Sequence, residues 1–283
     1  MTGLDRPIVV LGAARSGTSM TSRVLMRHPD VAFWMEPKYI WKVGRPLAPD
    51  DRRGAEDATP RVRRYIRRAF ERFAEEEGKP RFMEKTPSNC FRVPFVHAVL
   101  PEARFLHVVR DGRAATRSAL RMWTKTPDKR ALRRRLSTRE VPLRDAPFYA
   151  AAVLRDVVGR QLFPQKAFVW GPQFPGIRRV RAEEGVVAAC ATQWRASVDA
   201  ALDGLRAVPA DRQLTVRFED LMADLESELR SILDFLELPP SDAVLDYARS
   251  FVDADHAGSY ADPLDPAEID PYLEPTLSQL GYG

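Results

Sequence analysis

The chain predicts an α/β fold of three layers, with a central parallel sheet flanked by helices on both faces. Three observations predict it. Short apolar, β-rich runs alternate with helical patterns along the 283 residues. Two of those runs, Ile8–Leu11 and Arg104–Val109, pass through a tight turn straight into a helical stretch. The first run is apolar without alternation, which suits a parallel strand covered on both sides.

Taken in order, strands are expected near 7–11, 31–35, 81–85, 104–109 and 213–217. The first helix, near 18–28, opens at Thr18 and Ser19 and carries Met20, Val24 and Leu25 as its apolar stripe. The second, near 60–77, sets Ile66, Ala69, Phe70 and Phe73 against a run of arginines. The third, near 91–99, holds Phe95, Val96 and Val99, with His97 and the mid-strand His107 read as buried structural residues. Asp111 caps a helix near 111–123. Further helices are expected near 186–206, 220–237, 241–252 and 266–280. Between 124 and 185 prolines and glycines break the pattern, from Pro127 to Gly176. Long irregular stretches in a compact domain often serve as lids or binding loops.

Composition sets limits. A hydrophobic content of 45% supplies a core and excludes general disorder. The length suits a single domain over 1–283. No stretch approaches the ~20 apolar residues of a membrane span. The first residues lack an export signal, so a cytoplasmic protein is expected. Cys90 and Cys190 form no disulfide framework, and no Cys/His spacing of the zinc type occurs, so no metal is expected. The net charge is +5 and the pI about 9.3. Arg61, Arg63, Arg64, Arg67 and Arg68 make one basic cluster, and Lys129, Arg130, Arg133, Arg134 and Arg135 a second. A solvated helix face accounts for such runs, and a rim that attracts anions is the alternative. Specific nucleic-acid binding lacks any recognition motif.

The chemistry concentrates in the two turns. In Gly12-Ala13-Ala14-Arg15-Ser16-Gly17-Thr18-Ser19 the glycine spacing imitates a P-loop, and free N–H groups at a helix start attract an oxyanion. The P-loop signature continues with Lys and then Ser or Thr. Here Thr18 stands in the Lys position and the nearest cation is Arg15, inside the loop. The alternative is a plain strand-to-helix turn. In the second turn Arg110 ends a strand, and Ser118 lies seven residues after Asp111 on the same helical face. Arg110 by its planar fork and Ser118 by its hydroxyl can meet one anion. An arginine paired with a local carboxylate is the alternative.

These motifs resemble those of sulfotransferases that use 3′-phosphoadenosine 5′-phosphosulfate (PAPS) as donor. Gly-x-x-Arg-Ser-Gly-Thr-Ser is similar to their 5′-phosphosulfate loop, which implies donor contacts from Arg15, Ser16, Gly17, Thr18 and Ser19. The run from Val109-Arg110-Asp111-Gly112-Arg113 through Ser118 resembles their 3′-phosphate motif. Glu84-Lys85-Thr86-Pro87 with Asn89 resembles the segment that carries a catalytic lysine. Val216 to Leu221 and Ile232 to Leu236 resemble the closing strand and helix. The likeness covers 7–37, 81–122 and 190–238. It is faint in 45–80 and 124–185, so segments at about 37–60 and 124–185 are expected to shape the acceptor side.

The resemblance also implies a base. Cytosolic sulfotransferases place a catalytic His two residues after the position of Lys85, and this chain has Pro87 there. Protein-tyrosine sulfotransferases use a Glu instead. Their run to that residue resembles Arg15-Ser16-Gly17-Thr18, His28-Pro29-Asp30-Val31 and Glu36 without a gap. Glu36 is therefore expected to be the base and Lys85 a charge stabiliser, a salt bridge before Pro37 being the alternative for Glu36. Trp194 matches an aromatic that contacts the nucleotide in relatives, and a helix–core contact explains it equally. The late loop that closes over the 3′-phosphate is usually basic. Here 253–260 has no Lys or Arg, leaving His256, Gly258 and Ser259 as candidate contacts. The implied activity is sulfuryl transfer to a hydroxyl, less readily an amine, of a small-molecule or peptide acceptor. A homodimer is left open. A P-loop kinase or NTPase, or a non-catalytic nucleotide or polyanion binder, are the alternatives.

Overall fold

Five strands, Ile8–Leu11 (β1), Val31–Met35 (β2), Arg81–Lys85 (β3), Arg104–Val109 (β4) and Gln213–Arg217 (β5), make one sheet in the order β2-β3-β1-β4-β5. Every pairing is parallel. The computed structural model describes residues 3–124, 169–255 and 264–282, together with Pro147, Ala150 and Ala151.

Successive side chains in a strand point to opposite faces, and β1 divides accordingly. Val9 and Leu11 enter a core with Ile66 and Phe70 of Pro60–Glu76 (α2) and with Val93, Val96 and Val99 of Val93–Val99 (α3). Ile8 and Val10 enter the opposite core with Met20, Val24 and Leu25 of Thr18–Leu25 (α1). The continuous apolar run in the sequence thus reports two cores, one on each face. Phe70 stacks on Phe82 of β3 at 4.3 Å between centroids. Fully burying such a ring contributes roughly 1.5–3 kcal/mol.

The connection from β4 to β5 contains Gly112–Thr124 (α4), Ile177–Glu183 (α5) and Gly185–Leu205 (α6). The long α6 is apolar on much of its surface because it lies against several neighbours. Trp194 and Val198 pack with Ala115 of α4, while Ala189 and Cys190 pack with Trp123 and Ile177. Helix α5 falls within the span that sequence alone left irregular. Its start coincides with Gly176, which has φ 91°.

After β5 come Phe218–Ala223 (α7), Leu225–Phe235 (α8), Asp242–Asp255 (α9), Pro266–Leu273 (α10) and Thr276–Gln279 (α11). Two helices expected as single pieces are each divided in two. The stretch 220–237 breaks at Asp224, whose side chain accepts from the Ser227 N–H and caps α8. The stretch 266–280 breaks at Pro275, which has no N–H to give. Helix α2 exposes Arg61, Arg63, Arg64 and Arg68 on the side away from Val62, Ile66 and Phe70. The second basic cluster lies outside the described residues. Among the described residues no helix is long and apolar enough to cross a membrane.

Candidate active site

Because all strands are parallel, their carboxyl ends share one edge of the sheet. The connection from β1 runs over one face and that from β4 over the other, as the two cores show. In open α/β sheets, ligands bind in the crevice at such a reversal. Arg15, Ser16, Gly17, Thr18, Ser19, Glu36, Lys85 and Arg110 stand on, or just after, this edge, while Ser118 lies within α4 and Trp194 within α6.

The first turn is built for close approach. A Cβ on Gly12 would stand 2.5 Å from the Val108 carbonyl oxygen. Gly17 has φ 87°, and a Cβ there would stand 2.1 Å from the Phe218 ring. Only glycine fits either place. The Ser16 N–H donates to the Ala13 carbonyl at 3.1 Å, so that amide is engaged within the turn. The N–H groups of Gly17, Thr18 and Ser19 have no hydrogen-bond partner among the described residues. The Ser16 hydroxyl is buried and likewise unpartnered there. Leaving such a group unsatisfied costs about 1–3 kcal/mol. An anion at the start of α1 would satisfy these donors together.

Arg15 joins the two turns, a contact that neither motif discloses. Its Nε donates to the Ser118 hydroxyl at 2.9 Å, and its carbonyl accepts from Arg110 Nη1 at 3.3 Å. Its backbone is left-handed, φ 73°. The Arg110 guanidinium lies over the Phe218 ring, 4.6 Å from the centroid. Asp111 caps α4 by accepting from the Arg113 N–H at 2.7 Å, while its own N–H donates to Glu219. Arg113 turns away to grip Asp270 through two bonds, at 2.8 and 2.9 Å. Trp194 is buried in the core against Gly112, and its indole N–H donates to the Arg110 carbonyl at 3.2 Å. His256, Gly258 and Ser259 lie outside the described residues.

Glu36 and Lys85 come together as neighbours across the sheet. Met35 sits opposite Lys85 in the β2–β3 register, and the Glu36 N–H continues that pairing by donating to the Lys85 carbonyl. The Lys85 ammonium stands 2.9 Å from Glu36 Oε1, and Lys38 stands 2.8 Å from Oε2. Lys85 is buried and Glu36 half-buried. Burial pushes the Glu36 carboxyl upward, yet Lys38 and Lys85 outweigh it and hold the group at about 2. Its φ is 55°, a conformation that costs a non-glycine residue roughly 1–3 kcal/mol. Of the four non-glycine residues with positive φ among those described, Arg15 and Glu36 are at this edge.

Sequence reading missed Lys38, Phe218, Glu219 and Glu84. The Glu-Pro-Lys triplet at 36–38 was the one local signal for Lys38. The other three depend on which strands are neighbours. His107, as expected, is fully buried in the sheet, where burial pushes it down to about 4 and keeps it neutral. Cys90 and Cys190 are free and buried.

A parallel sheet in this order, with a glycine turn ahead of a helix start and a second cationic turn beside it, defines an α/β protein of P-loop-like architecture. The chain belongs to the sulfotransferase family, whose sequence profile matches residues 7–145 and 151–242. It is similar to the protein-tyrosine sulfotransferase of Drosophila melanogaster, 22% identical over 252 residues. It is equally similar to protein-tyrosine sulfotransferase A of Caenorhabditis elegans, 22% identical over 257 residues. The matches take in 85% and 86% of this chain but only 40% and 52% of those proteins, so the chain spans about half the length of these relatives. Among solved structures, the sulfotransferase domain from the curacin biosynthetic pathway superposes with a TM-score of 0.56 at 13% identity. That match covers 100% of this chain and 99% of that one. Sulfotransferase STF9 from Mycobacterium avium gives 0.54 at 15% identity, covering 98% and 77%. At these identities the likeness speaks for the fold.

Proposed function

We propose that the chain transfers a sulfuryl group from PAPS to a hydroxyl, less readily an amine, of a small-molecule or peptide acceptor, with Glu36 as the base. The observation that carries this reading is the Glu36–Lys85 pair, set at the strand edge beside the glycine turn. A protein that only bound nucleotide would need neither a strained carboxylate nor a buried lysine there.

The residues present fit such a donor. The Ser16 hydroxyl, unpartnered among the described residues, and the amides of Gly17, Thr18 and Ser19 suit the 5′ end. Arg110 and Ser118 suit the 3′-phosphate, with Arg15 between the two. Trp194 holds the Arg110 backbone in place. The donor supplies a sulfuryl group on a good leaving phosphate. In the step itself, Glu36 takes the acceptor proton as the acceptor oxygen bonds to sulfur and the sulfur–phosphate oxygen bond breaks. Lys85 and Arg15 hold the negative charge that grows on the departing oxygen. Positioned proton transfer of this kind contributes typically ~10²–10⁴-fold in rate.

Calorimetry with the 3′,5′-bisphosphate product against ATP–magnesium tests the donor. Binding of the bisphosphate is expected, and binding of ATP–magnesium alone would replace this reading with a kinase or NTPase. Thr18 in the lysine position speaks against that outcome. Arg110→Ala should weaken binding of the 3′,5′-bisphosphate by ~10-fold or more, since a hydrogen bond to a charged group contributes about 1.5–3 kcal/mol. Binding of the 5′-monophosphate should hardly change. Equal losses for both ligands would remove Arg110 from the 3′-phosphate site.

A further inference from the structure

Glu84 is fully buried one residue before Lys85 and takes no part in the steps above. Consecutive strand residues point to opposite faces, so Glu84 is directed away from Lys85, under the edge that carries the site. Its carboxyl accepts three hydrogen bonds there: from Trp41 Nε1 at 3.2 Å, Thr86 Oγ1 at 2.7 Å and Asn89 Nδ2 at 2.6 Å. Asn89 in turn accepts from Arg92 Nε at 2.7 Å. All of these residues are buried.

The donors come from two separate segments. Trp41 lies in the 3₁₀ turn Ile40–Lys42, a few residues after Glu36. Thr86 and Asn89 directly follow Lys85, the latter in the 3₁₀ turn Pro87–Arg92. We propose that Glu84 is a positioning residue that staples the segment after Glu36 to the segment after Lys85. The staple holds the Glu36 carboxylate 2.9 Å from the Lys85 ammonium. The left-handed backbone at Glu36 points the same way, because a strained conformer persists only where its surroundings over-determine it. A buried carboxyl is otherwise a poor choice for a core, since it needs every one of its partners. Burial pushes this one up to about 7, against the opposing pull of its hydrogen bonds and Arg92. A glutamine at 84 keeps the shape and one acceptor oxygen, yet its amide nitrogen cannot accept from these donors.

The proposal rests on the reading of Glu36 as the base only for its consequence in turnover. Its geometric content can be tested without an acceptor. The full chain is labelled with ¹³C at glutamate carboxyls, and the Glu36 signal is assigned by its loss in Glu36→Gln. The groups facing that carboxyl are Lys38 and Lys85. In the parent chain Glu36 should stay ionised to the lowest pH at which the chain remains folded. In Glu84→Gln its midpoint should rise by about one pH unit or more as Lys85 draws away. Affinity for the 3′,5′-bisphosphate should stay within about threefold, because Arg110 and Ser118 are carried by β4 and α4. Trp41→Phe, which removes one donor and keeps the ring packing, should move the midpoint in the same direction by less. An unmoved Glu36 midpoint in folded Glu84→Gln, or in Trp41→Phe should the former fail to fold, overturns the staple. Turnover retained in Glu36→Gln would instead overturn the base and leave the staple standing.

Discussion

Glu36→Gln is expected to lower kcat by about 10²–10⁴-fold while affinity for the 3′,5′-bisphosphate changes little. The substitution keeps the length of the side chain and an oxygen for Lys38 or Lys85 to meet, and it removes the carboxylate proposed to take the proton. The carboxyl sits between two lysines at 2.8 and 2.9 Å, which keep it ionised across the physiological range. A carboxylate held that low is always ready to take a proton but is a weak base. Single-turnover rates at saturating donor measure the chemical step without interference from product release. Unchanged turnover would remove Glu36 from the mechanism.

Lys85→Ala should reduce kcat by about 10²–10³-fold, in line with losing one preorganised donor to a developing negative charge. The donor KM should change less, because the two turns proposed to hold the donor lie on other segments. A loss confined to affinity would make Lys85 a binding residue. A second signature separates the two roles that Lys85 plays. Burial raises the Glu36 carboxyl, and Lys38 and Lys85 lower it to about 2. With Lys85 gone, Lys38 alone opposes burial and the folded-state value rises. A base works only when deprotonated, so activity is lost as pH falls through that value. The acidic limb of kcat/KM should therefore move to higher pH in Lys85→Ala. Lys38→Ala should move the limb in the same direction with a smaller loss of kcat, since Lys38 is exposed and paired to the other carboxylate oxygen.

Both turns were legible in the sequence because each is local. Gly12 and Gly17 answer to backbone geometry within a few residues, and Asp111 caps the helix that begins at the next position. The strands were legible for the same reason. Four of the five span the residues the pattern predicts, and the fifth, β1, starts one residue later. Where helices were misjudged, at Asp224 and Pro275, a cap or a missing N–H inside an otherwise helical run divided the element.

The likeness to sulfotransferases brought Glu36 and Lys85 into one hypothesis before any geometry was known, and the strand register then put them side by side. What no local pattern contains is the order of the strands. Arg15 reaches Ser118 across 103 positions of chain, and Lys85 reaches Glu36 across 49. Those contacts exist because β1 lies between β3 and β4, and because β2 flanks β3 in register. Hydrophobic period tells which face of an element is buried, and it is silent on which element covers that face. So the amino-acid sequence by itself determined a parallel α/β fold, two strand-to-helix turns and the residue types at the edge. The tertiary structure decided that Arg15 binds the turns together, that Lys38 shares the carboxylate, and that a buried Glu84 lies beneath the pair. Each depends on long-range packing, whose free energy comes from burying both faces of one sheet at once.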